Sequence, residues 1–362
     1  MPGKKIPIRP RKLAEAAHLL QYFCMKILVT GGTGFIGSHT VVELQAAGYQ
    51  PVIVDNLYNS NREVLTGLKN IIGQDIPFYE IDCTDEAAVR ELFEKEKFDG
   101  VIHFAAYKAV GESVKNPLKY YQNNLDSLLV LLQVMRDFGV NNFVFSSSCT
   151  VYGQPETLPV TEDTPRQPAT SPYGNTKVMC EDIIRDYVHS KPSLKAISLR
   201  YFNPVGAHPS AEIGELPSGV PSNLVPYLTQ AAAGLRDKLV VFGNDYDTPD
   251  GTCIRDFIHV VDLAKAHVKA IELLEKQTEA NYYDVFNVGT GHGNTVLELI
   301  NTFEEANGVK LNYTLGPRRP GDVEKIWAQS DKANKVLGWE TEKSLTDSLR
   351  DAWRWQLKLV DG

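Results

Sequence analysis

A glycine-rich turn between an apolar strand and a helix constrains the fold more than any other feature. The segment ILVTGGTGFIGSH places Gly31, Gly34 and Gly37 directly after a β-branched run and at the start of a helical pattern. This spacing allows a tight turn, close approach of a pyrophosphate to the backbone, and close packing of helix on strand. Asp55 ends the next predicted strand, 18 residues after Gly37, where a carboxylate can bind ribose hydroxyls and repel a 2′-phosphate. The turn therefore predicts a dinucleotide site that favours NAD over NADP.

Short apolar runs alternate with helical stretches up to about residue 202. The runs are brief, β-branched or aromatic and bounded by polar residues, as buried strands are. They are KILVT (26–30), PVIVD (51–55), FYEID (78–82), GVIHFAA (100–106) and NFVFSSS (142–148). Between them, apolar residues recur every three or four positions, which is typical of helices. Repeated strand–helix–strand units predict an α/β fold with a Rossmann-type doubly wound parallel sheet.

The regular alternation ends after residue 202. The next stretch, PVGAHPSAEIGELPSGVPSN, is rich in proline and glycine, and later segments mix helical and strand patterns. We therefore expect an NAD-binding domain over 25–202 and a smaller α+β substrate-binding C-terminal lobe over 203–255 and 292–362. The segments FIHVVDLAKAHVKAIELLEK and VFNVGTG predict a helix followed by a strand, so we expect about 256–291 to return to the first domain.

Composition and charge exclude several classes of function. Hydrophobic residues make up 43% and charged residues 23% of the 362 positions, as in ordinary globular proteins. No apolar run approaches the roughly 20 residues that span a membrane. The formal net charge of −8 disfavours nucleic-acid binding, so an anionic ligand needs a local cationic pocket. Five scattered cysteines predict neither a disulfide framework nor a metal site, and they fit a reducing, cytoplasmic location.

The first 24 residues differ from the rest of the chain. They hold five basic residues and one acidic residue, a net +4, so the remainder carries −12. They lack serine and threonine, unlike a transit peptide, and polar residues interrupt any secretory apolar stretch. Met25 stands directly before the first predicted strand. We expect residues 1–24 to be an extension outside the fold, and a chain that starts at Met25 to keep its activity.

The stretch SPYGNTK predicts both a helix start and a proton-transfer site. Ser171 can cap free backbone N–H groups at the first turn. Tyr173 and Lys177, four residues apart, then share one face of the helix. A phenol with a reference pKa of about 10 needs a downward shift of about three units to act as a base near neutrality, and an ammonium favours that shift. Ser148 ends a predicted strand at the carboxyl edge of the sheet, where ligands bind in such folds.

Several longer segments carry a family resemblance. The glycine spacing, Ser148 and the Tyr173-x-x-x-Lys177 pair resemble the extended short-chain dehydrogenase/reductase family. More narrowly, a series of blocks in the same order resembles the UDP-glucose (UDP-galactose) 4-epimerases, from Met25 almost to the C-terminus. The blocks are MKILVTGGTGFIGSH, HFAAYKAVGESV, FSSSCTVYG, SPYGNTK, RYFNPVGAHPS, FGNDY and RDFIHV.

The resemblance implies an isomerase of galactose metabolism that interconverts UDP-galactose and UDP-glucose with tightly bound NAD. In that family the tyrosine matched by Tyr173 removes the proton of the sugar 4′-hydroxyl, and the serine matched by Ser148 binds the same oxygen. A 4-keto sugar forms, turns its other face and is reduced, so no net redox change occurs. The implied catalytic residues are therefore Tyr173, Lys177 and Ser148. The same phenol serves first as base and then as acid.

The resemblance also implies two sets of binding residues. Those matching cofactor contacts are Gly31, Gly34, Phe35, Ile36, Gly37, Asp55, Asn56, Asn59, Ser60, Asp82, Cys83, Phe104, Ala105, Lys108, Asn123, Tyr173, Lys177 and Phe202. Those matching contacts to the UDP-sugar are Ser148, Asn203, Asn223, Leu224, Phe242, Arg255, Arg319, Asp322 and Ile326. Arg255 and the adjacent pair Arg318 and Arg319 are also candidates by residue type, because a guanidinium can contact two diphosphate oxygens at once.

Ile326 matches the position at which side-chain size governs room for an N-acetyl group at the sugar C2. A branched aliphatic residue is intermediate in size. The sequence therefore predicts a preference for UDP-glucose and UDP-galactose over the N-acetylhexosamine pair.

Two other functions remain open at this point. A 4,6-dehydratase or decarboxylase of the same extended family acts on nucleotide sugars, but dehydratases carry an Asp-Glu pair where this chain has Cys149 and Thr150. A non-catalytic NAD-sensing protein could use the same fold, although it would not need the Tyr173 and Lys177 pair. The resemblance further implies a homodimer formed through the helices at about 117–138 and 172–190.

Overall fold

The computed structural model describes residues 24–190, 193–319 and 322–361. The strands are β1 (Lys26–Thr30), β2 (Gln50–Asp55), β3 (Phe78–Glu80), β4 (Gly100–His103), β5 (Asn142–Ser148), β6 (Lys195–Tyr201), β7 (Asn203–Val205), β8 (Leu239–Phe242), β9 (Ile254–Arg255), β10 (Phe257–His259), β11 (Tyr282–Val288), β12 (Asn294–Thr295), β13 (Tyr313–Gly316) and β14 (Lys325–Ile326). The α-helices are α1 (Phe35–Ala46), α2 (Glu63–Ile72), α3 (Glu86–Glu96), α4 (Val110–Lys115), α5 (Pro117–Phe138), α6 (Pro172–Ser190), α7 (Leu224–Ala232), α8 (Val260–Lys276), α9 (Val296–Asn307) and α10 (Leu345–Asp361). A 3₁₀ turn over Cys149–Tyr152 follows β5, and a π-helical turn over Ala333–Leu337 precedes α10.

Seven of these strands form one parallel sheet in the order β11-β6-β5-β4-β1-β2-β3. The chain runs outward from β1 to β3 and then returns with β4 on the other side of β1. The strand order therefore reverses between β1 and β4, and ligands of open α/β sheets bind in the crevice at such a reversal. The predicted Rossmann-type doubly wound sheet is confirmed.

Two strands are shorter than the sequence patterns predict. The run at 78–82 leaves the sheet after Glu80, and the run at 100–106 leaves it after His103. In the first case Asp82 accepts the N–H of Thr84 in a turn. In the second, the N–H of Ala105 turns to the hydroxyl of Thr30 at the end of β1. Both runs therefore continue as loops over the carboxyl edge of the sheet.

Helices cover both faces of the sheet. On one face, buried residues of α1 and α8 pack on side chains of β1, β2 and β6. On the other face, buried residues of α3, α5 and α6 pack on the alternate side chains of the same sheet. Strand residues point to opposite faces in turn, so near-continuous apolar runs are what a sheet covered on both sides requires.

A smaller α+β lobe follows. It holds the pairs β7–β10 and β8–β13 and the three-stranded set β12-β9-β14, with a core supplied largely by α7, α9 and α10. Within the described residues, β11 pairs with β6 along its whole length, from Tyr282 to Val288. This pairing supports the proposed return of about 256–291 to the first sheet.

The predicted extension at 1–24 lies outside the described residues, except for Cys24. Among the helices that the structure describes, none is long and apolar enough to cross a membrane.

Candidate active site

The glycine turn after β1 leaves an open space beside its backbone that side chains on these glycines would fill. We call this space between Gly31, Gly37 and the loop after β4 the cradle. Gly31 has φ +69°, and a Cβ there would lie 2.9 Å from the backbone nitrogen of Ala105. A Cβ on Gly37 would overlap the carbonyl oxygen of Gly31. The turn is held by the N–H of Gly31, which donates to the carbonyl of Val54 at 2.7 Å. The helix α1 starts at Phe35, directly after this turn, and the N–H groups of a first helical turn have no partner within the helix and suit an anion.

Two carboxylates border the cradle. Asp55, at the end of β2, accepts hydrogen bonds from the N–H of Leu57 at 2.9 Å and the hydroxyl of Ser60 at 3.1 Å. Asp82 accepts from the side-chain amide of Asn56 at 2.9 Å. Burial acts to raise the pKa of Asp82, but hydrogen bonds from neighbouring groups, Asn56 among them, hold it below its ordinary value. The structure thus brings most of the predicted ribose-side residues together at one strand edge.

Other predicted cofactor residues lie around the same crevice. Cys83 is buried beside Asp82, Phe202 is 4% exposed after β6, and Phe104 lies in the loop after β4. Asn123, on α5, donates to the side chain of Asn124 at 3.0 Å. Lys108 is instead about half exposed and reaches Glu215 at 3.4 Å.

Tyr173 and Lys177 project from the first turns of α6 towards β5. Ser171 accepts the N–H of Gly174 at 3.1 Å, so the predicted cap is confirmed. Lys177 donates to the carbonyl of Ser146 at 2.7 Å, and its Nζ lies 5.9 Å from the centre of the Tyr173 ring. Because Ser146 is two residues before Ser148, the ammonium, the phenol and the Ser148 hydroxyl converge at the carboxyl end of β5.

Burial dominates the acidity of both groups. It raises the pKa of Tyr173 above the ordinary phenol value, although the neighbouring Ser148 acts in the opposite direction. It lowers the pKa of Lys177 to about 8, so this side chain is still largely cationic at neutral pH. Without a cofactor the phenol of Tyr173 is therefore protonated. It can act as a base only if positive charge beside it stabilises the phenolate.

Asn124, next to the predicted Asn123, supports the site without being one of its predicted residues. Its side chain accepts the N–H of Tyr107 at 2.8 Å and donates to the carbonyl of Tyr107 at 3.1 Å and to Thr176 at 3.1 Å. It thereby ties the loop after β4 to α6. Two adjacent asparagines inside a helix are the signal, because helix propensity disfavours them.

The predicted sugar-side residues fall into two groups. Asn203, Asn223 and Leu224 line a small cavity of about 60 Å³ together with Glu215. The amide of Asn223 donates to Glu215 at 2.6 Å, and Glu215 also meets Lys108. Glu215, 11% exposed at its side chain, was not predicted, and nothing in its Gly/Pro-rich surroundings distinguishes it.

The second group lies on the other strands of the lobe. Arg319 stacks 5.6 Å from the centre of the Phe242 ring and forms an ion pair with Asp322 at 2.7 Å. Arg255 on β9 stands opposite Ile326 on β14 in the strand register.

Arg318, the other member of the predicted arginine pair, pairs with Asp245 at 2.7 Å and stacks on Tyr246. Of the two adjacent arginines, only Arg319 therefore joins the predicted sugar-side residues.

A larger cavity of about 380 Å³ lies at the opposite, amino-terminal edge of the sheet. Its lining includes Asn142 and Lys195 but none of the predicted site residues.

Comparison with known proteins decides the family. Residues 28–352 match the sequence family described as GDP-mannose 4,6 dehydratase. A UDP-glucose 4-epimerase of Bacillus subtilis is 52% identical over 93% of this chain and 98% of its own length. The chain belongs to the UDP-glucose 4-epimerase family.

Solved structures of this epimerase family agree. The enzyme from Bifidobacterium longum, crystallised with NAD⁺ and UDP, has a TM-score of 0.89 and 47% identity over 93% of this chain and 99% of that one. The enzyme from Stenotrophomonas maltophila, with NAD and a formylated UDP-arabinopyranose, has a TM-score of 0.90 and 46% identity over 93% and 99%.

Proposed function

We infer that the protein is an NAD-dependent isomerase that interconverts UDP-galactose and UDP-glucose. The observation that carries this inference is the convergence of Ser148, Tyr173 and Lys177 beside a dinucleotide cradle, in a chain about half identical to curated UDP-glucose 4-epimerases. The alternative of a passive NAD sensor is disfavoured, because a buried ammonium beside a partly buried phenol is costly at the strand edge and a sensor does not need the pair.

The residues of the cradle fit NAD. Gly31 and Gly37 leave space that a Cβ would fill, and Asp55 lies at the strand end where the adenosine ribose is bound in such folds. We propose that the backbone of Phe35 and Ile36 holds the pyrophosphate. When bound, NAD⁺ supplies a reversible acceptor for the hydrogen at the sugar C4′.

Acid–base catalysis is proposed for Tyr173. Its phenolate oxygen takes the proton of the sugar 4′-hydroxyl as the 4-keto sugar forms, and the resulting phenol gives the proton back when the sugar has turned its other face. Ser148 donates a hydrogen bond to the same sugar oxygen, and Lys177 lowers the energy of the phenolate. The same tyrosine serves both half-reactions, because reduction of the 4-keto sugar is the reverse of its formation, carried out on the opposite face of the sugar ring.

The UDP-sugar is proposed to lie against the second lobe. Arg255 and Arg319 supply the local positive charge that an acidic chain needs for a diphosphate, and the Phe242 ring supplies an apolar wall. Asn203, Asn223, Leu224, Asp322 and Ile326 complete the proposed contacts.

A dehydratase is the nearest rival, and the matching family description carries that name. Expelling the C6 hydroxyl needs an acid and a base after the catalytic serine. Cys149 and Thr150 stand there, and burial raises the pKa of Cys149 to about 12, so the thiol stays neutral. This position favours epimerisation over dehydration.

The function is tested with purified protein and no added cofactor. Incubation with UDP-galactose should yield UDP-glucose, observed by NMR, and denaturation should release NAD. A 4-keto-6-deoxy product, or no conversion after NAD is supplied, would contradict the proposal.

We also propose a homodimer. Exposed apolar side chains on α4, α5 and α6 support it, among them Leu118 at 79%, Val114 at 61% and Leu129 at 40% exposure. Monomers rarely expose contiguous apolar patches of this kind. A cytoplasmic location is proposed on the five free cysteines.

A further inference from the structure

A fully buried carboxylate lies one helical turn beyond Lys177 on α6. Glu181 is 0% exposed and accepts hydrogen bonds from Arg200 Nε at 2.9 Å, Arg200 Nη2 at 2.7 Å and Ser147 Oγ at 2.5 Å. Arg166 adds a fourth bond from the side that faces solvent. Desolvation offsets much of the attraction between the charges of a buried ion pair. A contribution to folding stability alone therefore explains poorly why this pair is present.

Glu181 and Lys177 hold the same strand at neighbouring residues. Lys177 binds the carbonyl of Ser146, and Glu181 binds the hydroxyl of Ser147. The next residue of β5 is Ser148. Two contacts one helical turn apart fix both the height and the rotation of α6 above the strand.

Arg200 connects this contact to three further parts of the chain. Its Nη1 donates to the hydroxyl of Tyr152 at 3.0 Å and to the carbonyl of Glu162 at 3.3 Å. The Tyr152 hydroxyl donates in turn to Asn287 at 2.6 Å. The 3₁₀ turn after β5, the loop at 162 and β11 therefore meet through a guanidinium that is 3% exposed.

We propose that Glu181 and Arg200 form a positioning pair, which fixes the catalytic helix on β5 and so sets the Tyr173 hydroxyl at its working distance from Ser148. The proposal rests on the epimerase function proposed above. The arginine also keeps the carboxylate away from Lys177. Among the described residues, no ion pair joins Lys177 to a carboxylate, and the charge of Glu181 reaches its ammonium only from beyond ion-pair distance.

The other charged or titratable groups that face Lys177 are neutral. Burial lowers the pKa of His103 on β4 to about 3, and burial raises the pKa of Cys180 on α6 to about 12. From β5, Lys177 meets the Phe145 ring at 4.8 Å. Glu181 is thus the carboxylate among the groups around Lys177. Without Arg200, its negative charge would weaken the effect of the Lys177 ammonium on the phenol.

The test compares three variants of the full chain. Arg200→Met removes both arginine hydrogen bonds from Arg200 to Glu181 and leaves the one from Arg166, while the double variant Glu181→Leu, Arg200→Met replaces the pair by apolar side chains of similar size. Asp262→Asn is the matched control, because Asp262 is also 0% exposed and accepts the N–H groups of Glu342 and Lys343 far along the chain. Each is assayed for kcat and KM with UDP-galactose, for the pH dependence of kcat, and for amide hydrogen exchange in 172–180.

Arg200→Met should lower kcat at least tenfold with KM within threefold, move the acid limb of kcat to higher pH, and speed exchange at the start of α6. The double variant should keep the low kcat and return the acid limb towards that of the unaltered chain. Asp262→Asn should lower the melting temperature and leave kcat, the pH profile and α6 exchange unchanged.

Arg200→Met with kcat within twofold of the unaltered chain would overturn the proposal, and so would an equal kcat loss in Asp262→Asn. An unaltered chain that does not interconvert the UDP-sugars would refute the function instead. The exchange measurement separates the two failures, because it needs no turnover.

Discussion

Tyr173 is partly buried, at a place where a phenolate is costly. Burial raises its pKa, and the nearest fixed charge is Lys177, cationic below a pKa of about 8. The nicotinamide of bound NAD⁺ would add a second positive charge beside the phenol. We therefore expect the tyrosine, in its proposed role, to become a base when the oxidised cofactor is in place, which would couple proton removal to the presence of an acceptor for the sugar hydrogen.

Tyr173→Phe should remove most epimerisation and leave the fold intact. General acid–base catalysis is worth roughly 10²–10⁴-fold in rate, so kcat should fall by about that factor. Ser148, the neighbour of this hydroxyl, still accepts the N–H of Thr150 in the variant, so NAD content and melting temperature should match those of the unaltered chain. Full activity in the variant would show that the residue only begins a helix.

Ile326 should set substrate choice. Its side chain is 3% exposed and packs in a cluster with Tyr152 and Phe202, so it can yield little room for a bulky C2 group. Ile326→Ala should raise kcat/KM for UDP-N-acetylgalactosamine relative to UDP-galactose by about tenfold. Ala328→Gly, in the same cluster, is the control and should leave the ratio unchanged. Comparable turnover of both pairs by the unaltered chain would refute the predicted preference.

Site residues could be predicted from the sequence only where they form a short-range sequence motif. The glycine spacing and Tyr173-x-x-x-Lys177 are short-range and could be predicted from sequence. Glu181 and Arg200 are 19 residues apart, on different elements, and their pairing depends on how α6 packs across the sheet. The difference between Arg318 and Arg319 likewise depends on Asp245, a residue brought near only by the fold.

At the scale of elements, the strands of the parallel sheet could be predicted from sequence, but some of their ends and the pairing of the second lobe could not. Apolar runs predicted the sheet strands well, because both faces are covered, whereas the ends of β3 and β4 depend on loop hydrogen bonds that no local pattern shows. The short strands of the second lobe pair across long stretches of chain, so their register was not predictable from local sequence.

Gly37→Ala should displace α1 from β1. The added Cβ would overlap the carbonyl of Gly31, which is backbone and cannot rotate away. Overpacking of this kind costs about 1–3 kcal/mol in the free energy of unfolding, and the cradle should lose NAD. Gly111→Ala, in α4 with no atom within 4 Å of the new Cβ, is the matched control. Urea unfolding and released NAD measure both effects, and a Gly37→Ala protein with full NAD content would contradict the prediction.

At the scale of the whole molecule, buried neutral histidines should make the protein labile to acid. Burial lowers the pKa of His39 and His103 to about 3 and of His267 to about 4, against roughly 6.5 in the unfolded chain. Below pH 6.5 the unfolded chain binds more protons, so the free energy of unfolding falls as pH falls. The loss should be on the order of 1–2 kcal/mol per histidine between pH 7 and pH 5.

Urea midpoints at pH 7 and pH 5 measure this loss. His39→Gln should reduce the difference between the two midpoints, because one titrating group is gone. His292→Gln, at an exposed position, should leave the difference unchanged. Equal midpoints at the two pH values in the unaltered chain would count against the prediction.

The proposed dimer gives a second whole-molecule prediction. Leu129 on α5 and Leu357 on α10 are both 40% exposed. Leu129→Glu should convert the dimer to a monomer in sedimentation velocity, because a charge would be buried in the helical interface, whereas Leu357→Glu should leave the dimer intact. A monomeric unaltered chain would refute the dimer.

The helix α8 has a consequence for synthesis. It covers one face of the parallel sheet, but it lies more than 200 residues after β1 in the chain. During translation, β1, β2 and β4 to β6 emerge first and expose that apolar face until about residue 276 has left the ribosome. Nascent chains should therefore need chaperone protection through most of elongation, and NAD capture should be a late event. Ribosome-bound chains halted before and after α8 should differ sharply in protease resistance.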